Sequence, residues 1–128
     1  MFTLDQIDEI HDTHGKATTL PAYLNALREI GVQESVSFVT DGHTEHRGAD
    51  GYVVSTPPAH EKFAIAEVSD RAMLAEALEE KDYVKMSKAL ADSGIEKWIF
   101  DTRALTIAYL DRAGNSLLEE DVSGRQPG

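Results

Sequence analysis

"ALREIGVQESVSFVTDGHT", residues 26–44, changes period halfway along, and that change decides the fold. Up to Ile30 the apolar residues Tyr23, Leu24, Leu27 and Ile30 recur at helical spacing, with Thr19 placed to cap the helix and Pro21 in its first turn. Gly31 stands at the position after a helix end, where a left-handed conformation is needed. Beyond it Val32, Glu34, Val36 and Phe38 alternate in a β-rich run that mixes faces, and Asp41-Gly42 marks a turn.

Upstream, Thr3 and Gln6 have capping-box spacing, Leu4, Ile7 and Ile10 follow with a helical period, and Gly15 ends this first helix. Downstream, "TEHR" lies between two Asp-Gly turns at 41–42 and 50–51, and "YVVS" follows the second. Pro57 and Pro58 lack the donors a sheet interior requires and stop that strand, after which "KFAIAEV" (62–68) reads as another. Ser69 is placed to cap a third helix, "DRAMLAEALEEK". Asp82 caps a fourth, "YVKMSKALADS", which Gly94 closes. "IEKWIFDT", "LTIAYLD" and "SLLEEDV" are strands, the last two joined by the turn "RAGN". The expected class is α+β, an antiparallel sheet with helices over one face in the order αα-β(3-4)-αα-β(3). It forms one domain over residues 1–122, with 123–128 as a flexible tail.

The order repeats. At an offset of 63 residues Thr19 meets Asp82, "ALREIGV" meets "ALADSGI", Val36 meets Ile99 and Gly51 meets Gly114. Few of the aligned positions are identical, so an internal duplication and a chance agreement of element order both stay open at this point.

The totals narrow the function. A chain of 128 residues can bury an adequate core without disulfide or metal. It has no cysteine, which removes disulfides, thiolate nucleophiles and cysteine-ligated metals together. Net charge is −11, from 23 acids against 12 bases, and the basic residues are scattered singly beside acids, so nucleic acid and anionic membrane surfaces are unfavourable partners. The N-terminal "MFTLDQIDEI" is not a signal peptide and no apolar run is long enough for a membrane span, which points to the cytoplasm.

"DGHTEHRGADGY" (41–52) concentrates candidate chemistry. Asp41 and His43 lie on one side of an extended chain, and an Asp that orients a His is a component of general-base chemistry. A tight turn followed by a polar strand uses the same residues without chemistry, and no nucleophile motif accompanies them. His43 and His46, three apart on a strand, point to opposite faces. They share a metal only if the chain bends, with Asp41 or His60 as a third ligand. His11 and His14, one helical turn apart, have chelating spacing but also suit a helix C-terminus. "GADG" (48–51) matches a nucleotide-clamping G-x-x-G, but between strands of an acidic chain, which excludes that use. Trp98, Phe100 and Tyr109 suit a pocket floor or core. The spacing of Trp98 from Ile95 and Ile99 sets it on the less buried sheet face. No metal, cofactor or catalytic residue is expected.

"MFTLDQI" (1–7), "TDGHT" (40–44), "DGYVVSTPP" (50–58), "GIEKW" (94–98) and "AGN" (113–115) together resemble the YbcV-like family. These are small bacterial domains of unknown function, often labelled "phage envelope protein". The resemblance covers nearly the whole chain. It brings no activity, cofactor or catalytic residue with it, and the sequence has no membrane or signal segment to match the envelope label. By it, Asp41, Gly42 and His43 belong to the family pattern, while His46 stands where an aromatic residue is expected.

The expected function is a non-enzymatic module that binds a small molecule or a protein, with Asp41, Gly42, His43 and Trp98 at the ligand. The alternative is a hydrolase-like enzyme using Asp41 and His43. Sheet edges left open by two helix-pair-plus-strand units favour a homodimer.

Overall fold

The computed structural model describes residues 2–14 and 20–123, His14 by its backbone alone. The expected helix stop at Gly15, the Thr19 cap, the His11–His14 pair and the tail beyond Ser123 lie outside the described residues.

Among the described residues four α-helices and six strands follow in the expected order, with three strands in each set. Helix α1 (Leu4–His14) starts at the capping box: Thr3 N–H donates to Gln6 Oε1 at 2.9 Å and Gln6 N–H to Thr3 Oγ1 at 3.3 Å. Helix α2 (Leu20–Glu29) turns Leu20, Tyr23, Leu24 and Leu27 inward and leads into β1 (Glu34–Phe38), β2 (Thr44–Arg47) and β3 (Val53–Ser55). Helix α3 (Arg71–Ala77) and helix α4 (Tyr83–Asp92) precede β4 (Ile95–Asp101), β5 (Thr106–Asp111) and β6 (Ser116–Asp121). The strands form one antiparallel sheet in the order β3-β2-β1-β4-β5-β6.

Four sequence expectations are corrected. "KFAIAEV" is not a strand. Its amides are used elsewhere: Phe63 N–H donates to Thr40 O and Ala66 N–H to Ala91 O, while Phe63 and Ile65 pack on the core. The cap of α3 is Asp70, which accepts from Met73 N–H at 3.0 Å, not Ser69. That helix also stops at Ala77. Five residues later Asp82 must be extended to accept from Lys85 N–H at 2.9 Å and cap α4. Trp98 is on the covered face of the sheet, only 7% exposed. A bulge between Ile95 and Lys97 shifts the alternation by one, so Ile95 and Trp98 both join the core.

The two halves share one backbone plan. In the central ladder Val36 faces Ile99, and the pair Glu34–Asp101 is mirrored by Phe38–Lys97. A two-fold axis through Val36–Ile99 therefore exchanges residues 63 apart. The flanking registers agree, Val36 with Glu45 in one half and Ile99 with Ala108 in the other. Even irregular hydrogen bonds recur. Val39 N–H to Glu96 O is matched by Thr102 N–H to Gln33 O, and Gly42 N–H to Phe38 O by Leu105 N–H to Asp101 O. Three pairs of left-handed residues correspond likewise, Gly31 with Gly94, Gly42 with Leu105 and Gly51 with Gly114, while left-handed Asp50 has no such counterpart at Ala113. Chance agreement of element order does not reproduce registers and left-handed sites together, so the structural repeat is real.

All four helices lie on the Trp98 face. The core there gathers Phe2, Leu24, Leu27, Val32, Leu74, Leu90, Ile95 and Ile107. The opposite face carries Val36, Phe38, Ile99 and Leu110 among charged residues, and Val36, though buried, is no part of that core.

Candidate functional site

Between the sheet and the two helix pairs lies an open-sided cavity of about 990 Å³. Its sheet wall has two characters. Over β4, β5 and β6 stand Trp98, Phe100, Ile107, Tyr109 and Leu118. Over β1 to β3 stand Ser37, Thr44, His46 and Thr56. Ile7, Leu20 and Tyr23 close it from the first helix pair, and Leu78, Tyr83 and Met86 from the second.

The polar wall follows from strand alternation. On β1 the residues facing the helices are Ser35 and Ser37, because the ladder places Ser35 opposite His46 and Phe100, and Ser37 opposite Thr44 and Trp98. The buried polar groups of this strand wall pair with one another. Ser35 Oγ and His46 Nδ1 are 2.7 Å apart, Ser37 Oγ and Thr44 Oγ1 are 3.0 Å apart, and Thr44 N–H donates to Thr56 Oγ1 at 2.9 Å. Burial pushes the His46 imidazole down to about 4, opposed by the Asp8 carboxylate and reinforced by His11, so it is neutral at neutral pH. Ser35 lies beneath the ring and off the cavity wall, at 1% exposure, so it fixes the imidazole and is out of reach of a substrate. Across the cavity, burial and then Asp8 push the Tyr23 phenol up to about 12.

The residues expected at a site are divided by the sheet. Trp98 lines the cavity, its ring edge-on to Tyr83 at 6.3 Å. Asp41 and His43 sit in the turn that joins β1 to β2, off the cavity wall. His43 stacks on Phe38 at 4.4 Å, and its Nδ1 is 2.5 Å from Asp41 Oδ1. Asp41 also accepts from the His43 backbone N–H at 3.0 Å, and this bond, before the ring contact, holds its carboxyl below the usual range. The other imidazole nitrogen faces the Glu45 carboxylate at 4.0 Å rather than a hydroxyl that it could deprotonate. Gly42 has φ of +79°, and a Cβ there would stand 2.8 Å from the His60 ring. The carbonyl of Asp41 accepts from the N–H groups of Ala59 and His60, so this turn anchors the segment that follows β3. His43 and His46 point to opposite sides of the sheet, as strand spacing requires. No group of three metal-ligating side chains converges among the described residues.

Sequence reasoning missed Ser37, Thr44 and Thr56. The signal was present in "ESVSF": small hydroxyl residues at alternate positions of a strand whose other face carries Val36 and Phe38.

Fold and cavity together define a two-layer α+β domain of repeated αα-βββ units around one amphipathic pocket. Residues 8–121 match the model of a family described as "Protein of unknown function (DUF1398)", and the chain belongs to that family. No curated protein matches it. No helix among the described residues is long and apolar enough to cross a membrane.

Proposed function

We propose that this protein is a non-enzymatic small-molecule-binding module whose ligand occupies the cavity between sheet and helices. The observation that carries this reading is the cavity itself. About 990 Å³ of space is lined by aromatic and aliphatic side chains with a few convergent polar groups at one end, which is the usual make-up of a ligand site. Trp98 contributes to it directly, and the turn at Asp41 and Gly42 supports its rim by anchoring His60, whose ring lies 6.3 Å from Tyr83. The finer likeness to YbcV-like proteins, a cytoplasmic address and a homodimer formed through the β3 or β6 edge belong to the same proposal.

Trp98 is the chain's one tryptophan, so its emission reports on the cavity. In a thermal-shift screen, hits are expected to raise the melting temperature and change Trp98 emission. Ser37→Phe, which fills the polar end, should abolish them, and His43→Ala should leave them intact. Hits that survive Ser37→Phe but vanish in His43→Ala would move the ligand to the outer face. The hydrolase reading rests on the contact between Asp41 and His43. Turnover of an ester panel that His43→Ala eliminates would establish it instead.

A further inference from the structure

We infer that the cavity takes an apolar molecule carrying a carbonyl-type oxygen, which the imidazole N–H of His46 binds; this rests on the binding-module reading above. The buried Ser35 hydroxyl decides which imidazole nitrogen is protonated. Ser35 is 1% exposed, and among the described residues its Oγ has one partner, His46 Nδ1 at 2.7 Å. A hydroxyl sealed from water gives its proton to the acceptor it has, because a buried O–H without one forfeits the hydrogen bond it made to water. Nδ1 therefore accepts, and the ring's one proton stands on Nε2. Burial, which pushes this imidazole down to about 4, keeps a second proton off at neutral pH. His46 is 4% exposed and lines the cavity, and no acceptor for its Nε2–H occurs among the described residues. Asp8 and His11 act on the ring through their charges, in opposite directions, without a hydrogen bond to it among the described residues. The cavity thus holds a buried donor that a ligand oxygen would satisfy.

The neighbouring hydroxyls are compatible with the same oxygen. Ser37 Oγ and Thr44 Oγ1, 3.0 Å apart, use one of their protons on each other, and Thr56 Oγ1 accepts from Thr44 N–H at 2.9 Å. The second proton of the pair and that of Thr56 are left to reach a ligand. Hydroxyls rotate and also accept, so they adapt to either kind of head. The imidazole N–H only donates, and it sets the preference. An amine head would set N–H against N–H and leave His46 unanswered. The body follows from the ladder. Ser35 lies between His46 and Phe100, and Ser37 between Thr44 and Trp98, so the polar row and the aromatic wall are two strand spacings apart. That is about 10 Å, and a head bound at His46 places the apolar body over Phe100 and Trp98.

The test is a series on one carbon skeleton: acetophenone with a carbonyl, ethylbenzene with no polar atom, and 1-phenylethylamine, protonated and able only to donate. Each is titrated by calorimetry into the intact protein at pH 7 and 0.15 M salt. Acetophenone is expected to bind about tenfold more tightly than ethylbenzene, which is what one hydrogen bond to a buried donor supplies, and more tightly than the amine. Ser35→Ala combined with His46→Phe removes both partners of the buried pair and keeps an aromatic ring at 46. It should reduce the ketone's advantage to about twofold while ethylbenzene binds as before. The tautomer is also visible without ligand or variant: nitrogen chemical shifts of the His46 ring in the unliganded protein should show Nε2 protonated and Nδ1 bare. Equal affinity of acetophenone and ethylbenzene, an amine that matches the ketone, an advantage that survives the double variant, or a proton on Nδ1 would overturn the assignment and leave the cavity reading in place. Failure of all three probes to bind would remove both.

Discussion

Ser35, Ser37, Thr44 and His46 in the first half of the sheet occupy the positions that Trp98, Phe100, Ile107 and Tyr109 occupy in the second. The backbones coincide in register, yet one set is small and polar and the other large and apolar. The first half is stable because its polar groups satisfy one another across the strands, Ser35 with His46 and Ser37 with Thr44. The second is stable because its rings and aliphatic groups pack. Exchanging bulk for paired hydroxyls on one side leaves the space that becomes the cavity. A repeated scaffold thus produces a site through the difference between its copies.

The comparison breaks first at Ser35 and Trp98, which are equivalent positions. Trp98→Ala should destabilise by about 3–5 kcal/mol, the range for losing a buried aromatic. Ser35→Ala should cost about 1–3 kcal/mol, the penalty of leaving the buried His46 nitrogen unpaired. Urea denaturation of both variants checks the order, and equal losses would mean the two halves are not held by different forces.

The second test is acid. His46 is held near 4 in the folded protein, against about 6.5 when unfolded. Between those values the unfolded chain binds more protons, so stability falls as pH drops from about 6.5 to about 4. The total is on the order of 3 kcal/mol. His46→Gln, which cannot titrate, should show a shallower decline in unfolding midpoint over this window. Parallel curves for the two proteins would show that His46 is protonated without cost in the folded state.

The hairpin loops sharpen the comparison further. Gly42→Ala combines a left-handed φ with a Cβ that strikes the His60 ring, and should cost about 2 kcal/mol. Gly51→Ala and Gly114→Ala, where a Cβ meets open space, should cost about 1 kcal/mol each. At the counterpart of Gly42, Leu105 is already left-handed with φ of 56° and packs against the core. Leu105→Gly relieves strain and loses apolar contact, so its net change in thermal unfolding should stay within about 1 kcal/mol.

The smallest effect is expected at His43. His43→Ala should shift stability by no more than about 1 kcal/mol, since a half-buried ring stacked on Phe38 is lost from the outer face. It should leave the change in Trp98 emission caused by a cavity ligand unchanged.

Much of this was readable in the chain. The capping box at Thr3 and Gln6, the Asp82 cap, the three late strands and the 63-residue offset all rest on local chemistry that the fold obeys. "KFAIAEV" misleads because alternation reports which side chains are buried and says nothing of where the backbone finds its hydrogen bonds. Trp98 misleads because a one-residue bulge at Glu96 inverts the face of everything after it, and no glycine within the strand marks this bulge.

The site divides along the same line. Sequence alone determined that the chain is acidic, free of cysteine and α+β, since composition, period and caps act within a few residues of one another, while the repeat it suggested needed the strand registers to decide. The tertiary structure decided that Asp41 and His43 stand apart from Trp98, and that His46, Ser37 and Thr44 join it at one cavity. Which face of a strand the helices cover depends on register and bulges set by strands distant in the chain. A side chain's role at a site depends on that face before it depends on its own chemistry.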